Sequence, residues 1–193
     1  MIAIIDYGAG NIKSVENAIE KLGFETILTS DFDEIRNAEK IIFPGVGEAS
    51  TAMKFLKEKN LDILIPTLTQ PFLGICLGQQ LLCSYSEENN TECLGIFDVK
   101  VKQFPSTEIV PHMGWNNLSN LKGDLFKCVS EADDFYFVHS FYCELSENTS
   151  SECNYILPFS ASLQKNNFYG MQFHPEKSGD IGSKVLENFL NLN

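Results

Sequence analysis

Positive charge is scarce in this chain: 14 lysines and arginines stand against 26 aspartates and glutamates, a net charge of −12 over 193 residues. Nucleic acid and anionic membrane surfaces are polyanions held by clustered basic side chains, so neither is expected as a partner. Long apolar runs are missing too. Residues 61–68 and 135–138 are interrupted or ended by charged, proline or polar residues well short of the ~20 that a membrane crossing needs. Ile2-Ala3-Ile4-Ile5-Asp6 follows Met1 with no basic leader and no small-residue cleavage site, so the expected location is the cytoplasm. The six cysteines are irregularly spaced, without a C-x-x-C pair or histidines at ligand spacing. That indicates neither a zinc site nor a disulfide framework, and no cofactor is expected. In a reducing compartment most of these thiols are expected to be packing residues. With 44% apolar residues the chain can build one sizeable core but not two comfortable ones, so a single domain over residues 1–193 is expected.

What is present is an alternation of short apolar runs and amphipathic segments. Residues 2–5 read as a strand, and Asp6-Tyr7-Gly8-Ala9-Gly10-Asn11 as a turn-rich loop. A helix over 12–22 follows, with Val15, Ala18, Ile19 and Leu22 on one face. Gly8-Ala9-Gly10 lacks the third glycine of a dinucleotide fingerprint and reads as loop geometry. Strands are expected at 25–29 and 40–43, the latter stopping at Pro44-Gly45-Val46-Gly47, where flanking glycines let a peptide unit rotate at little steric cost. A helix over 49–59 and the 61–68 segment lead to a strand ending at Cys76. Strand-helix alternation implies a parallel, doubly wound sheet flanked by helices, which gathers the loops at 6–11, 44–47 and 76–80 on one edge. In the second half, strands at 96–104, 135–142 and 155–163 read as an antiparallel addition. Pro111-His112-Met113-Gly114-Trp115-Asn116 reads as a loop whose single tryptophan suits a structural anchor or a partner contact equally. A last strand at 168–173 is capped by His174-Pro175-Glu176, and a terminal helix begins at Ser178.

Gln70-Pro71-Phe72-Leu73-Gly74-Ile75-Cys76-Leu77-Gly78-Gln79-Gln80 organises the rest. It reads as strand, sharp turn and helix, with small neighbours Gly74 and Gly78 admitting a tight backbone at Cys76. The following helix aims free N–H groups and a partial positive charge at the sulfur and supplies donors for a developing oxyanion. A nucleophile and a small buried hydrophobe both fit this stretch taken alone. His174 and Glu176, at i and i+2 in extended chain, project to one side, and Pro175 stiffens them, so the carboxylate can fix the imidazole for acid/base work. Nucleophile, base and orienting acid are then all supplied. His112 and His139 have no carboxylate at i+2 and read as loop structure and interface packing.

Pro44-Gly45-Val46-Gly47, Gly74-Ile75-Cys76-Leu77-Gly78-Gln79-Gln80, Pro111-His112-Met113-Gly114-Trp115-Asn116, Tyr136-Phe137-Val138-His139-Ser140 and Gly170-Met171-Gln172-Phe173-His174-Pro175-Glu176 resemble the motifs of the class I (triad) glutamine amidotransferases, in order and over nearly the whole chain. The resemblance implies hydrolysis of L-glutamine through a thioester, with Cys76 as nucleophile, His174 as acid/base and Glu176 as its orienting carboxylate. It places the oxyanion donors on the N–H groups of Leu77 and, after a peptide rotation, of Val46, and glutamine binding on Gly47, Gln80, Glu88, Ser140 and Phe141. Asn11, Trp115 and Tyr136 match positions that face a synthase (cyclase) subunit, which implies a heterodimer through which ammonia passes. That partner is expected to be a cyclase of histidine biosynthesis, or alternatively an aminating enzyme of surface-sugar synthesis. A non-catalytic binding module is the remaining alternative. Gln79 departs from the methionine usual in the family, at a neighbouring helix position where no loss of chemistry is expected.

Overall fold

The computed structural model describes residues 1–8 and 12–192. β1 (Ile2–Ile5) is a fully buried β-branched run, followed by α1 (Ile12–Lys21), β2 (Thr26–Thr29) and α2 (Phe32–Asn37). The start of α2 is fixed by the Asp31 carboxylate, which accepts from the Asp33 and Glu34 amides at 2.9 and 3.1 Å. Then come β3 (Lys40–Gly45), α3 (Ala49–Glu58), α4 (Leu61–Leu64), β4 (Phe72–Cys76) and α5 (Leu77–Leu82). The remainder is mostly strand: β5 (Tyr85–Ser86), β6 (Thr91–Glu92), β7 (Lys100–Gln103), β8 (His112–Asn117), β9 (Asp134–His139), β10 (Phe141–Cys143), β11 (Thr149–Tyr155), β12 (Leu157–Lys165) and β13 (Phe168–Met171), before α6 (Gly179–Leu190).

The main sheet has the order β11-β12-β13-β4-β3-β1-β2. Its five strands from β13 to β2 are parallel, and β11 and β12 extend the edge antiparallel. Alternate residues of β1 enter opposite cores. Ala3 and Ile5 join Met53 and Leu56 of α3 with Leu61 and Leu64 of α4. Ile2 and Ile4 join Val15 and Ile19 of α1 with Val185, Leu186 and Phe189 of α6. Among the described residues no helix is long and apolar enough to cross a membrane, and no group of three or more His, Cys, Asp or Glu side chains is placed to hold a metal.

Several local expectations are corrected. The tryptophan segment is not a loop but β8, paired antiparallel with β9 from His112↔His139 to Asn117↔Asp134. Pro111 and Gly114 read as turn signals, and cross-strand pairing outweighs them. The run at 135–142 divides at Ser140 into β9 and β10, which belong to different sheets. Of residues 96–104 only Lys100–Gln103 forms a strand, and it pairs parallel with β5 inside an otherwise antiparallel four-stranded sheet. The expected 155–163 strand is a hairpin of β11 and β12 turning at Ile156, which has φ +56. Cys128 is exposed rather than packed.

Candidate active site

Cys76 ends the central strand and stands just before α5 with φ +55 and ψ −109, a conformation unusual for a residue with a side chain. Its neighbours show why the elbow needs glycines. A Cβ on Gly74 would lie 2.6–2.8 Å from the Gly78 carbonyl and the Gln79 nitrogen, and one on Gly78 would collide with the Phe43 carbonyl oxygen of β3. The sulfur lies 3.9 Å from the Val138 carbonyl oxygen and 3.6 Å from Gln172 Nε2.

His174 is buried, and its backbone is tied to β9: its amide donates to the Tyr136 carbonyl at 2.9 Å. Ser178 Oγ donates to the His174 carbonyl at 2.7 Å and accepts from the Tyr136 amide at 3.0 Å. The imidazole Nδ1 is 2.8 Å from Glu176 Oε1. This pairing does not come from strand alternation. Residues Pro175–Lys177 form a 3₁₀ turn that folds the carboxylate back under the ring. Nε2 has no hydrogen-bond partner among the described residues. Burial pulls the imidazole pKa down, but the Cys76 sulfur and then Glu176 outweigh it and push it up to about 10. The Cys76 sulfur and the His174 imidazole are therefore electrostatically linked.

A cavity of about 340 Å³ opens on the sulfur, lined by residues that include Val46, Gly47, Leu77, Gln80, Glu88 and Phe141. Ser140 lines it as well, so every residue expected to hold substrate or oxyanion meets this cavity. Glu88 Oε2 accepts from the Ala49 amide at 2.7 Å, and burial raises its carboxyl pKa. Gln80 Nε2 donates to the Phe141 carbonyl at 3.0 Å and to Gln172 Oε1 at 2.9 Å. Gly47 has φ +116 and open space where a Cβ would stand, whereas Gly45, on the other side of Val46, is packed against Tyr7 and Leu77. On the far side of that loop is a smaller cavity of about 200 Å³ bordered by Tyr7, whose buried hydroxyl has no hydrogen-bond partner among the described residues. Gln79 sends its amide to the Ser160 carbonyl and Cys143 Sγ.

Trp115 and Tyr136 lie opposite each other in the β8–β9 ladder, rings 5.9 Å apart edge to face, with Trp115 58% and Met113 67% exposed. Asn11 lies outside the described residues. His112 and His139 are buried strand residues bonded to each other at 3.0 Å. Sequence reasoning missed Gln172, Val138 and Pro111 at the site. Gln172 lies past the end of β13 at Met171, so strand alternation offered no signal for it.

The sequence matches the glutamine amidotransferase class-I family over residues 3–192. It is 55% identical over 194 residues to the imidazole glycerol phosphate synthase subunit HisH of Bacteroides fragilis, with 99% of each chain covered. The subunit of the same name from Bacteroides thetaiotaomicron is 52% identical, again covering 99% of each. The fold is similar to that of a crystal structure of a glutamine amidotransferase, with TM-score 0.77 at 17% identity over 98% of this chain and 97% of that one.

Proposed function

The chain belongs to the class-I glutamine amidotransferases, and from that premise we propose that it is the glutaminase subunit of an imidazole glycerol phosphate synthase, acting as one 1–193 domain in the cytoplasm. It forms a heterodimer with a cyclase subunit and supplies it with ammonia for imidazole glycerol phosphate and an aminoimidazole carboxamide ribotide.

Cys76 passes its proton to His174 Nε2, and the sulfur attacks the side-chain carbonyl carbon of glutamine. As the S–C bond forms, the carbonyl π pair moves to oxygen, which the N–H groups of Leu77 and Val46 face. The pair returns, the C–N bond breaks, and the nitrogen leaves as ammonia with the proton from His174. Water then attacks the thioester, gives a proton to His174, and glutamate departs as the thiol is restored. Glu176 keeps the Nδ1 proton in place and so leaves Nε2 free for these transfers. Gly47, Gln80, Glu88, Ser140 and Phe141 hold the substrate, with the Glu88 carboxylate suited to its ammonium group. Trp115, Tyr136 and Asn11 meet the cyclase subunit, where an exposed apolar strand face is covered on binding.

The observation that carries this reading is the Nδ1 to Oε1 bond of 2.8 Å that fixes the buried His174 imidazole, with the Cys76 sulfur opening on the cavity. Cys76→Ala in the complex tests it: glutamine-dependent synthesis is lost, and ammonia-dependent synthesis persists because only the nitrogen source is removed. Substantial glutaminase turnover by Cys76→Ala would sink the assignment.

A further inference from the structure

We propose that Gln172 is a further catalytic residue, its side-chain amide donating to the Cys76 sulfur and holding it as the proton leaves. Gln172 follows β13, its backbone amide bonded to the Ala161 carbonyl at 2.8 Å and its side chain fully buried. Which end of the amide faces the sulfur follows from the neighbours. The Phe141 carbonyl oxygen can only accept, so the Gln80 atom 3.0 Å from it is Nε2. That same Nε2 lies 2.9 Å from Gln172, which must therefore present Oε1 there and turn Nε2 to Cys76 at 3.6 Å. The orientation is anchored on a backbone group rather than chosen freely.

The sulfur thus has an acceptor on one side, the Val138 carbonyl, and a donor on the other. A thiol satisfies Val138 with its S–H. Once the proton has gone to His174 Nε2, the carbonyl offers nothing and the Gln172 N–H becomes a bond to an anion, the stronger kind. Both donor hydrogens of Gln80 are taken by Phe141 and Gln172, so substrate meets Gln80 through Oε1. Gln80 is then one rigid link between the cavity wall and the nucleophile. The titratable groups around the sulfur are His174 with Glu176 behind it, Tyr7 two residues beyond β1, and the neutral His139 of β9, whose pKa His174 helps to lower.

The inference rests on Cys76 being the nucleophile, and one experiment separates the two. Iodoacetamide labelling of the full chain is followed by peptide mass spectrometry between pH 5 and 10. It needs no oxyanion hole and no bound glutamine. In Gln172→Met, the pH of half-limiting labelling of Cys76 is expected to rise by about one unit, roughly tenfold in rate below it, with the limiting rate at high pH little changed. A purely structural role would alter the limiting rate or label other cysteines and leave that pH in place. Gln80→Met keeps Gln172 but removes its anchor, and it should shift the profile the same way by less. If Gln172→Met does not fold, Gln80→Met decides. An unshifted profile in a folded variant overturns the role of Gln172 alone, whereas wild-type labelling no faster at Cys76 than at the other cysteines overturns the nucleophile itself.

Discussion

Lowering the pH from 7 to 4 is expected to destabilise the fold through His112 and His139. His139 Nδ1 is 2.7 Å from the Phe141 carbonyl oxygen, so Nδ1 carries the hydrogen and Nε2 accepts from His112 Nδ1 at 3.0 Å. His112 in turn is stacked between Phe137 and Tyr155, with ring centroids at 4.8 and 4.0 Å. Both rings are neutral in this arrangement, and a second proton on His139 would set two N–H groups against each other. Burial lowers the pKa of His112 to about 4 and, together with nearby histidines and against the Phe141 bond, that of His139 to about 3, from an ordinary 6.5. The unfolded chain therefore takes up protons near pH 6.5 while the folded chain does not. The histidines' share of stability is complete above about pH 6.5 and is lost as the pH falls toward 4 and 3. At roughly 1.4 kcal/mol per pH unit, His139 alone removes about 3 kcal/mol by pH 4, a large part of the roughly 5–15 kcal/mol that holds an ordinary domain. Urea unfolding at pH 7, 5.5 and 4 measures this. His139→Gln supplies a donor and an acceptor without titrating, so it should lose about 3 kcal/mol less than wild type between pH 7 and 4. Parallel losses in the two proteins would refute the reasoning.

Glu176→Gln is expected to keep the fold and lower glutamine turnover less than His174→Ala, which removes the proposed proton carrier and should cost roughly 10²–10⁴-fold; steady-state glutamate release orders the two, and a silent Glu176→Gln would void the orienting role. Gly78→Ala drives a Cβ into the Phe43 carbonyl oxygen at the β3–α5 contact and should destabilise by about 1–3 kcal/mol or more. A thermal melt that matches wild type would contradict that contact.

The parallel half of the fold was legible because each element is short, strongly patterned and set off by turn residues. β1, α1, β3 and α3 all begin within two residues of where periodicity puts them. The glycine elbow was legible for a steric reason, since Gly74 and Gly78 are tied to one cysteine between them. The second half resisted because its strands are chosen by pairing partners far along the chain. Nothing local says that residues 112–117 pair with 134–139, or that Ser140 separates two sheets. The His174–Glu176 pair was placed correctly on a reason that the structure replaces: a 3₁₀ turn, not strand pleating, brings the carboxylate back. Gln172 escaped notice because an amide's role depends on which neighbours fix its two ends, and spacing carries no such information.

The backbone at Cys76 carries a further consequence. A residue with a Cβ held at φ +55 and ψ −109 costs the fold on the order of 1–3 kcal/mol, and glycine would adopt the same angles without strain. A replacement that removes the proposed nucleophile is therefore among the most favourable for folding. Screens that reward thermal tolerance alone would drift toward Cys76→Gly, and the wild-type cysteine survives only where turnover is selected as well.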